Sequence, residues 1–208
     1  RVISNKFSAL DSQATNSLIQ DDIYSLSDGF GFHALVIEGP EHDEKIEDRS
    51  SKNLLQIMQV YRDRLKTLSE KEGIKNVLIF KNYGAGSGAS LSHPHTQILA
   101  TPFVPGGIKK KANKADKYYR NKDKCLLCTI ITEEIKADKR VLFENEGFLS
   151  YVPYAAKFPY EIHLIPKKHE SDFGMAGKKE LRWMADILKE NLQSLRKILG
   201  DVEYNYFI

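Results

Sequence analysis

The feature that most constrains the fold of this 208-residue chain is an internal repeat. Two segments align without a gap at an offset of 127 residues, which pairs His42 with His169 and Gly73 with Gly200. The histidine is followed in each copy by a helix that ends at the glycine and then by a strand. Apolar residues of the two helices also fall in register, as in Leu54/Leu181, Ile57/Met184, Val60/Ile187, Tyr61/Leu188 and Leu68/Leu195. We therefore expect a duplicated α+β unit.

Hydrophobic spacing predicts the same kinds of element in both copies. The first copy has strands and a helix at residues 33–38, Asn53 to about Glu72, 76–80 and 95–100. The second has them at 160–166, about Lys178 to Leu199 and 202–208. The chain starts with Arg1, and its second copy stops where the first begins a glycine-rich loop, so we expect both ends to be incomplete.

Charge is concentrated in one segment. Residues 109–124 contain eight basic and two acidic side chains, which gives this segment a charge of +6. Since the whole chain carries +3, the remaining residues carry −3. Beginning after Pro105-Gly106-Gly107, the segment is predicted to be a solvated linker or loop, and it does not favour nucleic-acid binding. No apolar run has the length of a membrane helix, and two cysteines make no disulfide scaffold, so we expect a soluble protein of the reducing cytoplasm.

The stretch from Asn82 to Gln97 carries the chemistry. Gly84, Gly86 and Gly88 permit torsions that let backbone amides converge on an anion, and three serines add hydroxyl donors. No helix pattern follows, which excludes a dinucleotide-binding fingerprint, and no Gly-Lys-Ser/Thr run is present, which excludes a P-loop. The loop is therefore predicted to bind phosphate.

Three polar side chains follow this loop at alternate positions. In an extended segment His93, His95 and Gln97 share one face. A neutral imidazole can attack phosphorus, and a glutamine can donate to an oxygen on which charge builds. The spacing also fits a His-x-His metal pair or two unrelated surface histidines.

Asn82, Ser90 and the run His93-Pro-His-Thr-Gln97 resemble the galactose-1-phosphate uridylyltransferase branch of the histidine-triad (HIT) superfamily, which includes ADP-glucose phosphorylases. Further matches are Asn5-Lys6-Phe7, the turn Glu38–His42, Cys125-Leu-Leu-Cys128, Val152-Pro153-Tyr154 and the run Tyr160–His169. The resemblance implies an α+β fold of tandem HIT-like halves, each a mainly antiparallel sheet with a packed helix. It places the first half at 1–108, the basic linker or loop at 109–124 and an incomplete second half at 125–208.

The resemblance also assigns roles to individual residues. His95 matches the nucleophile that carries a nucleotidyl group from a sugar nucleotide, such as UDP-glucose, and Gln97 matches the residue that steadies the intermediate. Nucleotide and phosphate contacts fall on Asn5, Phe7, Asn82, Gly88, Ser90 and Ser92. Lys6 stands where uridylyltransferases often have an acidic residue, so the preferred base and sugar stay open.

A structural zinc is implied in each half. His42 and His93 match two ligands of the first, whose Cys-x-x-Cys partners have no counterpart before Cys125. If no such pair precedes it, His42 is better interpreted as a polar residue in a Pro-containing acidic turn. Cys125, Cys128 and His169 match three ligands of the second, although a lone Cys-x-x-Cys also fits a redox pair or ordinary thiols. His33 and His163 are interpreted as structural.

The function favoured by these matches is hexose-1-phosphate nucleotidyl transfer in galactose metabolism, by a ping-pong route through His95 in a cytoplasmic homodimer. The alternative is ADP-glucose phosphorylase, in which inorganic phosphate is the acceptor. A HIT nucleotide hydrolase ranks lower, because Gln97 favours transfer over hydrolysis. A zinc-stabilised nucleic-acid-binding module that uses residues 109–124 also ranks lower, because it would leave the glycine-rich loop and the paired histidines unexplained.

Overall fold

The computed structural model describes all 208 residues, which form two compact units. Unit 1 comprises Arg1–Ile46, Val60–Pro105 and Val202–Ile208, and unit 2 comprises Glu47–Gln59 and Gly106–Asp201. Helix α1 runs over Ser51–Ser69.

Unit 1 is built on a five-stranded antiparallel sheet. Its strand order is β1-β4-β6-β5-β10, with strands β1 Val2–Ser4, β4 Phe32–Ile37, β5 Asn76–Tyr83, β6 His95–Thr101 and β10 Tyr204–Phe207. A separate hairpin joins β2 Leu18–Asp21 to β3 Tyr24–Ser27. Strand β6 lies at the centre of the sheet, between β4 and β5.

The two faces of β6 differ in burial. Thr96, Ile98 and Ala100 point to one face and are fully buried. His95 and Gln97 alternate with them and point to the other face, where Gln97 is only partly buried. The alternation therefore gives the sheet a core face and a more open face that carries the predicted catalytic side chains.

Unit 2 contains a smaller antiparallel sheet, three whole helices and the first part of α1. The sheet has the order β7-β8-β9, with β7 Val141–Glu144, β8 Phe148–Tyr151 and β9 His163–Pro166. The helices are α2 Gly106–Lys122, α3 Leu126–Ala137 and α4 Lys178–Leu199. Ile131 of α3 packs with Leu149, Tyr151 and Ile165 in a small core. Helix α4 is tied to β8 by the Ser150 hydroxyl, which donates to the Asn191 carboxamide oxygen at 2.7 Å.

These elements confirm an α+β fold with antiparallel sheets and packed helices, and helix α4 has the predicted bounds. The segment 109–124 differs from the expected linker or loop, because most of it belongs to α2. Alanine and lysine are good helix formers, and an Asp116–Arg120 ion pair at i,i+4 adds local support. No helix in the chain combines the length and apolar character needed to cross a membrane.

The internal repeat did not predict which strand the last strand pairs with. Strand β10 pairs with β5 of the first sheet, with Asn205 opposite Asn82 and Tyr206 opposite Lys81. The C-terminal residues thereby border the loop that leaves β5.

Candidate nucleotidyl-transfer site

The glycine- and serine-rich segment after β5 is a turn hydrogen-bonded within itself. The amides of Ser87 and Ala89 donate to the carbonyl of Gly84 at 3.3 and 3.2 Å, and the Gly88 amide donates to the carbonyl of Ala85 at 3.0 Å. These amides are engaged inside the chain, so they do not converge on an outside anion as the sequence predicted. The exposed hydroxyls of Ser90 and Ser92 follow the turn directly.

Gly84 is required by both torsion and space. Its φ of +91° lies in the region that favours glycine, and a Cβ there would come within 2.3 Å of Cγ of Glu203. A Cβ on Gly86 would meet a Glu203 carboxylate oxygen at 2.1 Å. The two glycines therefore let the segment before β10 approach the turn closely.

Asn205 fixes the turn from β10. Its Nδ2 donates to Asn82 Oδ1 at 2.7 Å and to the carbonyl of Ser87 at 2.9 Å. Asn82 Nδ2 in turn lies 3.4 Å from the carbonyl of Gly88. The predicted phosphate-site residue Asn82 thus holds the turn, together with a second asparagine that sequence reasoning did not identify.

His95 begins β6 and is almost fully buried. Its Nδ1 lies 2.8 Å from the carbonyl oxygen of His93. Because a carbonyl can only accept, Nδ1 carries the ring proton, and Nε2 of the neutral imidazole keeps its lone pair. This is the tautomer that a nitrogen nucleophile at Nε2 requires.

A buried ion pair lies behind His95, on the core face of the sheet. Lys81 Nζ donates to both oxygens of Glu38, at 2.9 and 2.8 Å, and to the carbonyl of His95 at 3.2 Å. Thr96 donates to Glu38 at 2.6 Å, and the Tyr61 hydroxyl lies 2.6 Å from that of Thr96. Burial raises the pKa of Tyr61 well above its usual value. The strands around His95 are therefore joined by charged hydrogen bonds as well as by the backbone ladder.

Gln97 follows His95 on the open face and contacts His33 of β4. The two side chains meet through Gln97 Oε1 and His33 Nε2, 2.9 Å apart. Asn5 Nδ2 reaches the same imidazole, at 3.0 Å from Nε2 and 3.3 Å from Nδ1. The predicted nucleotide residue Asn5 and the predicted catalytic residue Gln97 are thus brought together through His33, for which only a structural role was predicted.

Phe7 extends from the same N-terminal segment into solvent. Its ring is 83% exposed, and the Lys6 ammonium lies 5.6 Å from the ring centroid. The Phe7 amide donates to Asn5 Oδ1 at 2.9 Å, which sets the direction in which the segment leaves Asn5. An exposed ring held in this way offers a flat surface to a nucleoside base.

His93 lies in a bend before β6 and turns toward His42, so it does not continue the row of His95 and Gln97. Its Nε2 is 2.9 Å from the carbonyl of Gly39 and therefore carries the proton, which leaves Nδ1 unprotonated. The Nδ1 atoms of His93 and His42 are 3.1 Å apart. A histidine that donates one ring N–H to a backbone carbonyl and offers the other nitrogen is suited to bind a metal.

Cys125, Cys128 and His169 form a second cluster, in unit 2. Their ligand atoms all lie within 4.8 Å of one another, and Cys128 Sγ is 3.2 Å from His169 Nδ1. Cys125 caps the start of α3, and the hydrogen bond from the Cys128 amide lowers the pKa of the Cys125 thiol. Burial and the neighbouring Cys125 raise the pKa of Cys128. Two thiols and an imidazole at this spacing match the ligands of tetrahedral zinc.

His163 contacts neither cluster. Its Nε2 lies 3.0 Å from Glu161 Oε1, and its Nδ1 lies 3.3 Å from the Tyr151 hydroxyl. A hydrogen bond from the Lys157 amide, with His163 as a lesser contributor, lowers the pKa of Glu161. This local network is consistent with the structural role predicted for His163.

Two family models match the chain. The N-terminal domain of galactose-1-phosphate uridyl transferase matches residues 1–105, and the C-terminal domain of the same family matches residues 76–199. Together they cover both the strand of His95 and the cysteine cluster.

Individual relatives agree with these matches. An ADP-glucose phosphorylase of Arabidopsis thaliana is 34% identical over the whole chain, and a galactose-1-phosphate uridylyltransferase of Thermotoga maritima is 34% identical over 86% of it. The chain spans 58% and 55% of the lengths of these two proteins. The crystal structure of an Arabidopsis thaliana ADP-glucose phosphorylase with bound ADP-glucose superposes on the whole chain with a TM-score of 0.88 at 33% identity, over 64% of that structure.

Proposed function

The chain belongs to the galactose-1-phosphate uridylyltransferase family, and from that premise we propose that it moves a nucleoside monophosphate from a sugar nucleotide to a phosphate-bearing acceptor. The observation that carries the proposal is the tautomer of His95. Its proton is held on Nδ1 by the His93 carbonyl, so Nε2 is available as the nucleophile.

The reaction proceeds in two displacements at the same phosphorus. In the first, His95 Nε2 bonds to the α-phosphorus, the bond from phosphorus to the bridging oxygen breaks, and sugar 1-phosphate leaves with that electron pair. In the second, an acceptor phosphate oxygen bonds to the phosphorus and the P–N bond breaks. Nδ1 keeps its proton throughout, and the His93 carbonyl stabilises the positive charge that the ring gains in the intermediate.

The other residues on the open face would bind and orient the substrate. Gln97 donates an amide hydrogen to a non-bridging oxygen, and Phe7 stacks on the base. Ser90 and Ser92 supply hydroxyl donors to the phosphates, beside the turn that Asn82, Asn205 and Gly88 shape. Asn5 would contact the ribose or base from the same segment as Phe7.

Two acceptors are compatible with this site. A hexose 1-phosphate acceptor makes the protein a uridylyltransferase of the galactose-1-phosphate type. Inorganic phosphate makes it a phosphorylase of ADP-glucose, and the relative that matches the whole chain at 34% identity supports this second candidate. Phosphate-dependent release of ADP from ADP-glucose, without any need for hexose 1-phosphate, would select the phosphorylase.

Covalent labelling tests the common intermediate. The purified full-length protein is incubated with UDP-glucose or ADP-glucose labelled at the α-phosphate, and acid-labile, base-stable label on the protein is measured. We expect label on the wild type and on His163→Ala, a histidine control outside the site, and none on His95→Ala. The proposal would be overturned if neither sugar nucleotide labelled the wild type, or if label persisted in His95→Ala.

We also propose that Cys125, Cys128 and His169 hold a zinc ion, which would supply a structural cross-link. The donor set and its spacing support this assignment. His42 and His93 Nδ1 are proposed as two ligands of another zinc. No step of the transfer involves either ion.

A cytoplasmic homodimer is proposed from the family resemblance. The two free cysteines are compatible with a reducing compartment, in which a thiolate zinc site persists. Sedimentation equilibrium of the full-length protein would give twice the protomer mass, and a monomer at micromolar concentration would contradict the dimer.

A further inference from the structure

His33 and Gln97 lie diagonally across two paired strands. In the register of β4 with β6, Leu35 is opposite Gln97 and His33 is opposite Leu99. Side chains of His33, Leu35 and Gln97 therefore share the open face, and a diagonal pair at this separation is within reach of long side chains. The 2.9 Å contact between His33 Nε2 and Gln97 Oε1 is this diagonal contact.

The backbone decides which nitrogen of His33 carries the proton. The amide of Ala9 donates to His33 Nδ1 at 3.2 Å. Since a backbone amide can only donate, Nδ1 must accept, and the proton of the neutral ring lies on Nε2. His33 therefore donates from Nε2 to Gln97, and the atom of Gln97 that faces it is the carboxamide oxygen.

Asn5 contacts the same imidazole from the N-terminal segment. Its Oδ1 accepts from the Phe7 amide at 2.9 Å, so its Nδ2 is the end that faces His33. That amino group lies 3.3 Å from Nδ1 and 3.0 Å from Nε2, so it contacts both ring nitrogens, and the Ala9 amide alone decides the tautomer. The N-terminal segment from Asn5 to Ala9 therefore holds the imidazole from one side, and Gln97 accepts from it on the other.

We propose that His33 is the positioning residue that fixes the carboxamide of Gln97, so that its Nε2 amino group, and not its oxygen, faces the phosphoryl group on His95. The inference rests on the proposed function and adds a residue to it. A carboxamide rotated by 180° would present an oxygen lone pair to phosphate oxygens that gain negative charge in the transition state. Fixing the orientation in advance removes that repulsive state and leaves the donor in place before reaction.

The contact also connects two parts of the substrate. Asn5 and Phe7 belong to the segment proposed to bind the nucleoside, while Gln97 serves the phosphoryl group, and His33 touches both Asn5 and Gln97. A nucleoside that orders the segment from Asn5 to Ala9 would thereby also order the His33 imidazole. That imidazole in turn orients the amide donor of Gln97. His33 touches no reacting atom itself and acts through Gln97.

The test is a double-mutant cycle in the full-length protein, read by the single-turnover rate of nucleotidyl-His95 formation. We expect His33→Leu to lower this rate by about 10- to 100-fold, since loss of one pre-oriented donor in other enzymes costs about 100- to 1,000-fold. In a Gln97→Ala background the same substitution should change the rate less than about threefold, because its effect passes through Gln97. His33→Gln, which keeps an N–H donor and an acceptor, should recover most of the rate.

Three results would overturn the inference. The first is a wild-type rate of adduct formation in His33→Leu. The second is a loss of rate from His33→Leu that is as large in the Gln97→Ala background as in the wild type. The third is a loss of rate in His33→Gln as large as that in His33→Leu, when circular dichroism shows both variants folded. His163→Leu is the matched control and should keep the wild-type rate. Failure of the proposed function is a separate outcome, since then the wild type itself would form no adduct with either sugar nucleotide.

Discussion

At the scale of single residues, two histidines on one sheet face hold their protons on opposite nitrogens. The carbonyl of His93 keeps a proton on Nδ1 of His95, and the amide of Ala9 keeps the proton of His33 on Nε2. Each backbone group thereby leaves the nitrogen that the proposed transfer would use, a lone pair on His95 and a donor toward Gln97. The protonation of both rings is set by backbone groups that no motif specifies.

Gly31 provides a residue-scale prediction. Its φ is +149°, and a Cβ there would lie 2.3 Å from the carbonyl oxygen of Ala100, a backbone atom that cannot move aside. We expect Gly31→Ala to lower the free energy of unfolding by about 2–4 kcal/mol, measured by urea denaturation.

Gly107→Ala is the control for that substitution. Gly107 lies in α2 and has open space where a Cβ would stand, so an added methyl group should raise the free energy of unfolding by up to about 1 kcal/mol. Equal effects of the two substitutions would show that the close approach at Gly31 is not what determines its identity.

The tyrosines titrate according to their burial. Burial, with neighbouring Glu38, raises the pKa of Tyr206 far above 10, and burial does the same for Tyr61. The folded state thus keeps protons that the unfolded state loses above pH 10. Stability should be unaffected by these groups below pH 10 and should fall by up to about 1.4 kcal/mol per pH unit for each of them above it.

Absorbance at 295 nm measures this directly. We expect Tyr61 and Tyr206, among the ten tyrosines of the chain, to ionise only when the protein unfolds at alkaline pH. Tyr206→Phe should remove one of these delayed groups. Ionisation of all ten tyrosines near pH 10 in the folded protein would contradict the buried placement of the pair.

At the scale of elements, the strands around His95 are held by a buried charge pair. Glu38 follows β4, Lys81 lies in β5, and the two meet behind β6, where Lys81 also donates to the His95 carbonyl. Their side chains are 0% and 2% exposed. A buried pair is expensive to break by removing one partner, because the other charge is left without compensation.

We therefore expect Lys81→Met to lower the free energy of unfolding by about 3–5 kcal/mol. Glu38→Gln with Lys81→Met, which removes both charges, should cost less than the sum of the two single substitutions, as measured by urea denaturation. The interaction energy is obtained from the double-mutant cycle. Additive losses would indicate that the two side chains stabilise the sheet independently.

Some of these elements could be predicted from local sequence patterns and others could not. The apolar strands, the helix at Lys178–Leu199 and the shared face of His95 and Gln97 follow from periodicity, which is local. The roles of His33 and Lys81 depend on β4 and β5 pairing with β6, and the role of Asn205 depends on β10 joining β5 across 123 residues of sequence. Spacing cannot reveal pairings of that kind, although a lysine that extends the apolar run Val77–Phe80 was a usable signal. Helix α2 was missed because most of its residues are charged or polar and none of them is buried.

At the scale of the whole molecule, the protein has two compact units that are stabilised by different interactions. Unit 1 is held by a five-stranded sheet whose buried face includes Ile79 and Ile98, and the Tyr61 hydroxyl of α1 lies 2.6 Å from that of Thr96 on this face. Unit 2 combines a three-stranded sheet and the Ile131 cluster with buried residues of α4, among them Leu181 and Ile187. A metal cross-link would add to this packing, because metal binding to the folded state contributes to folding stability.

The proposed zinc site predicts how unit 2 responds to metal removal. Zinc would tie the start of α3, through Cys125 and Cys128, to His169 beyond β9. Binding to the folded state alone stabilises by about 4 kcal/mol when free zinc is about 1,000 times its Kd. We expect a chelator to remove bound zinc, measured by elemental analysis, and to lower the melting temperature in calorimetry, with recovery when zinc is restored. Cys128→Ser should melt at a lower temperature before any chelator is added and should lose one zinc ion fewer to it than the wild type, because its ligand set in unit 2 is already broken. A wild type that carries no zinc, or whose melting is unchanged by its removal, would show that the three side chains are an ordinary thiol and imidazole cluster.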